Sequence, residues 1–76
     1  VSAGTDIRPL RKQVTVKRDG TVVLAQVIGR VEKSGGHHLF DPIFWEAEDA
    51  DGEHVTGGEW TRQDAVDELL RKVVAS

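Results

Sequence analysis

The chain has seventy-six residues, no cysteine and a net charge of −3. That is room for one domain, near the lower limit at which a core sustains itself, with neither disulfide nor thiolate metal to brace it. No apolar run approaches the roughly 18 residues of a membrane span and no signal-peptide pattern opens the chain, so a soluble cytoplasmic protein is the expectation. A start at Val1 instead of Met suggests a processed chain or a fragment. The core must come from Val, Leu, Ile and Ala, with Trp45, Trp60, Phe40 and Phe44.

Charge is unevenly spread. Up to Lys33 there are seven bases (Arg8, Arg11, Lys12, Lys17, Arg18, Arg30, Lys33) and three acids; from Ser34 onward there are three bases and ten acids. A basic front half can form a patch for a polyanion, or can neutralise an acidic helix and strand within the same fold.

Residues 1–12 have one Pro and no periodicity, and read as a flexible N-terminal arm. Residues 13–76 read as a single ββββα domain. Residues 13–18 alternate Val14 and Val16 with Thr15 and Lys17, the period of a strand. Asp19-Gly20 then predicts a hairpin, because a tight primed turn needs the positive φ that Gly supplies. A two-residue loop there pairs Val16 with Val23 and Val14 with Ala25. Residues 21–32 read as one long strand, with Val23, Ala25, Val27 and Val31 on one face and Val22, Leu24 and Ile28 on the other. A strand apolar on both faces is covered twice, and one helix covers only one face of a sheet. Val22, Leu24 and Ile28 are therefore the predicted contact surface for a protein partner or a second copy. Gly29 is a candidate bulge.

Residues 33–38, with Gly35-Gly36 and His37-His38, form a connection without an apolar anchor. Residues 40–49 read as a third strand, with Ile43, Trp45 and Ala47 on one face and Phe44, Glu46 and Glu48 on the other. A three-residue loop Ala50-Asp51-Gly52, with Gly52 left-handed, sets Val55 opposite Ala47. Residues 53–56 form the fourth strand, whose furthest reach is Trp60, and Gly57-Gly58 breaks it off. Thr61 caps the last helix, its hydroxyl accepting the Asp64 amide. Ala65, Val66, Leu69, Leu70, Val73 and Val74 make one apolar stripe. Asp67–Arg71 and Glu68–Lys72 stand at i,i+4 as ion pairs. The fold class is α+β: a three- to four-stranded antiparallel sheet with one C-terminal helix on one face, Trp45 and Trp60 lying against that helix.

Catalytic chemistry finds no constellation. Cysteine is absent, and Ser2, Ser34 and Ser76 lie in an arm, a loop and a terminus. His37 and His38 are adjacent and His54 is isolated, which is not the spacing of a zinc site. The acids at Glu46, Glu48, Asp49, Asp51 and Glu53 lack the calcium-loop pattern. No enzyme activity, cofactor or metal is expected.

The piece carrying Trp60 followed by Thr61-Arg62-Gln63-Asp64-Ala65 resembles AP2-like and arm-type DNA-binding domains of tyrosine integrases, where two strands lead through an aromatic into Thr-x-x-(Glu/Asp)-Ala on a helix. One departure is that those domains place a residue between the aromatic and the Thr. Ala50-Asp51-Gly52-Glu53 with Trp60-Thr61 also resembles small bacterial βββα domains of unknown function, and Gly58 to Ala65 is similar to the helix entry of HicB-like antitoxins. The first resemblance implies DNA contacts from the sheet, for which Lys17, Arg18, Arg30 and Lys33 are the counterparts.

Two functions follow as expectations for a bacterial or phage accessory protein. One is a non-catalytic binding or adaptor module that associates with protein through the sheet face opposite the helix. The alternative is a DNA-binding accessory domain using Arg8, Arg11, Lys12, Lys17, Arg18, Arg30 and Lys33. Aromatic groups are missing from that basic segment, which counts against single-strand binding.

Overall fold

At Ala25 the chain turns back on itself, within what alternation alone reads as one long strand. Ala25 is the single residue between two antiparallel strands and sits at φ 63°. The computed structural model describes residues 6–75. Its elements are α1 (Arg8–Arg11), β1 (Thr15–Val16), β2 (Thr21–Leu24), β3 (Gln26–Gly35), β4 (Ile43–Asp49), β5 (His54–Glu59) and α2 (Arg62–Ala75). The strands form one antiparallel meander in the order β1-β2-β3-β4-β5, with α2 packed on one face. The α+β architecture is as expected; the sheet has five strands because the long predicted one divides.

The division changes what the apolar residues do. Val22 pairs with Gly29 and Val23 with Val27, leaving Ile28 as an extra residue in a bulge. Val22 and Ile28 are buried and Leu24 packs beside them, in one cluster with Ile7, Val31, Ala47, Ala65, Val66, Leu69 and Leu70. The predicted partner surface is thus interior: reversal and bulge together turn the second apolar face inward. Holding a Cβ in the left-handed region costs about 1–2 kcal/mol, part of which glycine returns as backbone entropy. Ala25→Gly is expected to raise stability by about 0.5–1 kcal/mol in a urea melt. A loss would mean that the Ala25 methyl group makes a packing contribution larger than its strain.

Both glycine turns use the same geometry. The Lys17 amide donates to the Thr21 carbonyl at 2.8 Å and the Gly20 amide to the Lys17 carbonyl at 3.0 Å, closing a three-residue loop with Gly20 at φ 93°. The Asp19 carboxylate accepts the Thr21 amide. One residue more than expected in this loop shifts the pairing to Thr15 with Val23 and Val16 with Val22. The β4–β5 loop matches the expected three residues, with Gly52 at φ 83°. Beyond it, Glu48 pairs with His54 and Ala47 with Thr56, so Val55 is an extra residue that still packs on the core instead of standing opposite Ala47.

α2 begins as predicted, with the Asp64 amide donating to Thr61 Oγ1 at 3.1 Å. Its stripe supplies Ala65, Val66, Leu69 and Leu70 to the core. Leu69 lies directly on Gly29: a Cβ at Gly29 would meet the Leu69 methyls at 2.8 and 2.9 Å and the Glu48 carbonyl oxygen as well. Neither expected i,i+4 pair forms: Asp67 and Lys72 pair with residues outside the helix, and Glu68 pairs with Arg71. Lys72 donates to Asp49 at 2.7 Å and lies 3.4 Å from Glu53, pinning the C-terminal half of α2 to the β4–β5 turn. Lys72 and the Glu53 amide hold Asp49 below the usual carboxylate range. Arg71 pairs with Glu68 at i,i+3.

The N-terminal stretch is also part of the fold. Ile7 is buried in the core and Leu10 packs against it. Pro9 sits in the first turn of α1, where its missing N–H costs nothing. Arg11 reaches across to α2 and binds both oxygens of Asp67, at 2.9 and 2.5 Å. Residues 6–12 are therefore anchored rather than a flexible arm, by one apolar plug and one ion pair. The rest of the predicted arm lies outside the described residues.

Candidate functional site

Strand pairing sorts the polar side chains onto two faces. Gly29, Val31 and Lys33 face the helix side with Asp49, Ala47 and Trp45, their partners across β3–β4. Arg30, Glu32 and Ser34 face the open side with Glu48, Glu46 and Phe44. His54, opposite Glu48, joins the open face. The face opposite the helix is consequently acid-rich. A dimple of about 30 Å³ at its centre is lined by Arg30, Glu32, Glu46, Ala47, Glu48 and His54. Among the described residues no group of three His, Cys, Asp or Glu converges to hold a metal ion, and no helix is long and apolar enough to cross a membrane.

The basic residues expected to act together do not share a face. Arg8 is tied to Asp6 and Arg11 to Asp67. Arg30 donates to the Asp19 carbonyl and lies among glutamates on the open face. Lys12 borders a shallow surface hollow beside Arg8 and Gln13. Lys17, Arg18 and Lys33 do converge, and α2 adds Arg62 to them. The four line a cleft of about 210 Å³ whose other walls are Val16, Asp19, Gly20, Val31, Glu32 and Trp45. Among the described residues none of these four cations makes an ion pair, whereas Arg8, Arg11, Arg71 and Lys72 all do. Sequence order hid this cleft, since Arg62 stands in the acidic half and Trp45 lies far from the basic hairpin.

A second feature is the outer end of the β3–β4 hairpin. β2 pairs with β3 only as far as Arg30, and β5 pairs with β4 only as far as Trp45, so residues 34–44 extend beyond both neighbours. The tip is an ordered turn: the Asp41 amide donates to the His38 carbonyl at 3.1 Å, and the Asp41 carboxylate accepts the His37 amide at 3.0 Å. Leu39 and Phe40 occupy the two central positions of that turn and are 90% and 92% exposed. Ile43, on the same hairpin, is half exposed. Trp45 packs on the core, but Trp60 does not lie against the helix as expected and is 73% exposed.

No family model, curated protein or solved structure matches this chain. The fold and its two surfaces define a small α+β domain, and function has to be argued from those surfaces.

Proposed function

We propose that this domain is a non-catalytic binding module that works by protein–protein association, through the outer β3–β4 hairpin instead of through Val22, Leu24 and Ile28. One observation carries the reading: of the five large apolar side chains exposed among the described residues, Leu39, Phe40 and Ile43 lie together on that hairpin. Leaving a Leu or Phe side chain in water forgoes about 1.5–3 kcal/mol of burial, and a partner that covers the tip recovers it. An aromatic side chain such as Phe40, held out on a hydrogen-bonded turn, is the part of the tip that would anchor in a partner's surface.

The partner is a second copy of the chain. Two such tips packing about a twofold axis cover each other's apolar residues without needing a separate complementary pocket. Size-exclusion chromatography with light scattering is expected to show a concentration-dependent dimer. Leu39→Ser and Phe40→Ser should each yield a monomer that melts where the wild type does when both are dilute enough to be monomeric, because neither side chain packs in the core. A monomer at concentrations on the order of 100 µM would remove the reading. The alternative, DNA binding from an arm and first hairpin, is weakened because Arg8 and Arg11 serve ion pairs and Arg30 sits among glutamates. What remains of it is the basic cleft.

A further inference from the structure

We infer that the cleft between the β1–β2 turn, β3 and the start of α2 binds single-stranded nucleic acid, with one base on its apolar floor and the flanking phosphates on its rim. In a chain carrying thirteen acids against ten bases, unpaired cations are easily neutralised, yet among the described residues Lys17, Arg18, Lys33 and Arg62 line one cleft with no contact ion pair, the Asp19 charge acting on Lys17 only from a distance. Of the two acids there, Asp19 already accepts the Thr21 amide. The cleft is neither a bare charged surface nor a closed pocket. Val16 and Trp45, both partly buried, stand on the helix side of the sheet and supply its apolar part, with Val31 buried beneath them. Its volume of about 210 Å³ falls below the roughly 300–1,000 Å³ of a pocket that encloses a whole small ligand. It suits one base of a strand whose neighbours remain outside.

Trp60 adds an independent observation. It follows Glu59, which pairs directly with Trp45 across β4–β5, and it precedes Arg62 by two residues. Its indole is 73% exposed and lies outside the cleft's lining, so it is available as a separate face on which a neighbouring base of the strand can stack. Cations that follow a backbone, combined with aromatic faces, are what single-strand binding requires. The tertiary fold thus brings to the basic hairpin one aromatic, Trp45, that its own sequence lacks. Duplex DNA is disfavoured on the broad open face, where Glu46 and Glu48 would meet the phosphates.

Fluorescence anisotropy with a labelled oligothymidylate of about 12 nucleotides tests this, titrated at low salt. Binding should weaken as salt rises. Lys33→Glu and Arg62→Glu should each weaken it by about tenfold and reduce the salt slope. Trp60→Ala should weaken it with the salt slope unchanged, because stacking releases no counterions. Circular dichroism should be wild-type for all three, since these side chains lie outside the core. Phe40→Ser should bind the oligonucleotide as the parent does, which separates this inference from the proposed self-association. No binding at protein concentrations on the order of 100 µM would overturn the inference. So would tighter binding of a duplex of the same length, or affinities indifferent to Lys33 and Arg62.

Discussion

Arg11→Ala is expected to destabilise the fold by about 2 kcal/mol at neutral pH and to alter how its stability responds to acid. Asp67 is buried at 4% exposure, and its oxygens receive Arg11 at 2.9 and 2.5 Å and Gln63 at 2.8 Å. Burial alone pushes the Asp67 carboxyl up. The Arg11 and Gln63 hydrogen bonds and the guanidinium charge outweigh it, and the group ends below its ordinary value of 3.8. A carboxylate with a depressed folded-state pKa contributes stability that is complete above its unfolded value and is lost as pH falls through the folded one. Removing a buried pair's partner can cost about 3–5 kcal/mol. Arg11 is 42% exposed, so solvent screening reduces that figure.

Without Arg11 the depression weakens, because burial still pushes the Asp67 carboxyl up and only the Gln63 hydrogen bond and the Arg71 charge oppose it, so ionised Asp67 contributes less stability. The stability gap between wild type and Arg11→Ala in urea melts should therefore stay constant near neutral pH and narrow as pH falls below about 5 toward the folded-state pKa of Asp67. A gap that stays constant with pH would show that Arg11 acts by packing its methylenes and not by its charge. Replacing both partners, as Arg11→Met with Asp67→Leu, should cost less than Arg11→Ala alone, since no buried charge is left unpaired.

Gly29→Ala is expected to cost about 3 kcal/mol, a large effect for one added methyl group. The new Cβ would collide with two neighbours of different stiffness: the Leu69 side chain on α2 and the Glu48 carbonyl on β4. Leu69 can change rotamer, but the carbonyl belongs to a strand paired with β3 along its whole length. A double-mutant cycle with Leu69→Ala separates the two. Leu69→Ala should relieve part of the Gly29→Ala penalty, giving a coupling of about 1 kcal/mol, while most of the cost persists. Full rescue would mean that the backbone yields freely and that only the helix contact matters. No penalty at all would show that α2 and the sheet are not held at this separation.

Much of the fold follows from signals within a few residues of one another. The start of α2, its Thr61 cap and its apolar stripe depend on hydrogen bonds and faces that span three or four positions. The second turn is likewise readable from Asp51-Gly52 with the burial of its flanks. The first turn is right in place and one residue short in length, because Asp-Gly signals a reversal but does not by itself decide between the loops that Gly can close. Alternation over residues 21–32 misleads for a related reason. Periodicity reports which residues want burial, and it is blind to a reversal at Ala25, a residue type with no turn preference.

The two surfaces were legible to different degrees. Lys17, Arg18 and Lys33 stand out as unmatched charge in the basic half, and three of the cleft's four cations were visible on that ground. Arg62 was not, because it opens a helix whose other charges are mainly acidic. Leu39 and Phe40 looked like core candidates, and only their place on an overhanging turn leaves them in water.

The sequence by itself determined the class of fold, the terminal helix, the glycine turns and the polarity of most positions, since each rests on local geometry or on side-chain hydrophobicity. The tertiary structure alone decided that Val22, Leu24 and Ile28 are interior, that Arg11 belongs to Asp67, and that Trp45 and Arg62 meet the basic hairpin. Each of these depends on residues far apart in the chain, 56 positions in the case of Arg11 and Asp67. Their juxtaposition comes from how a five-stranded meander closes against one helix, which no short stretch of sequence encodes.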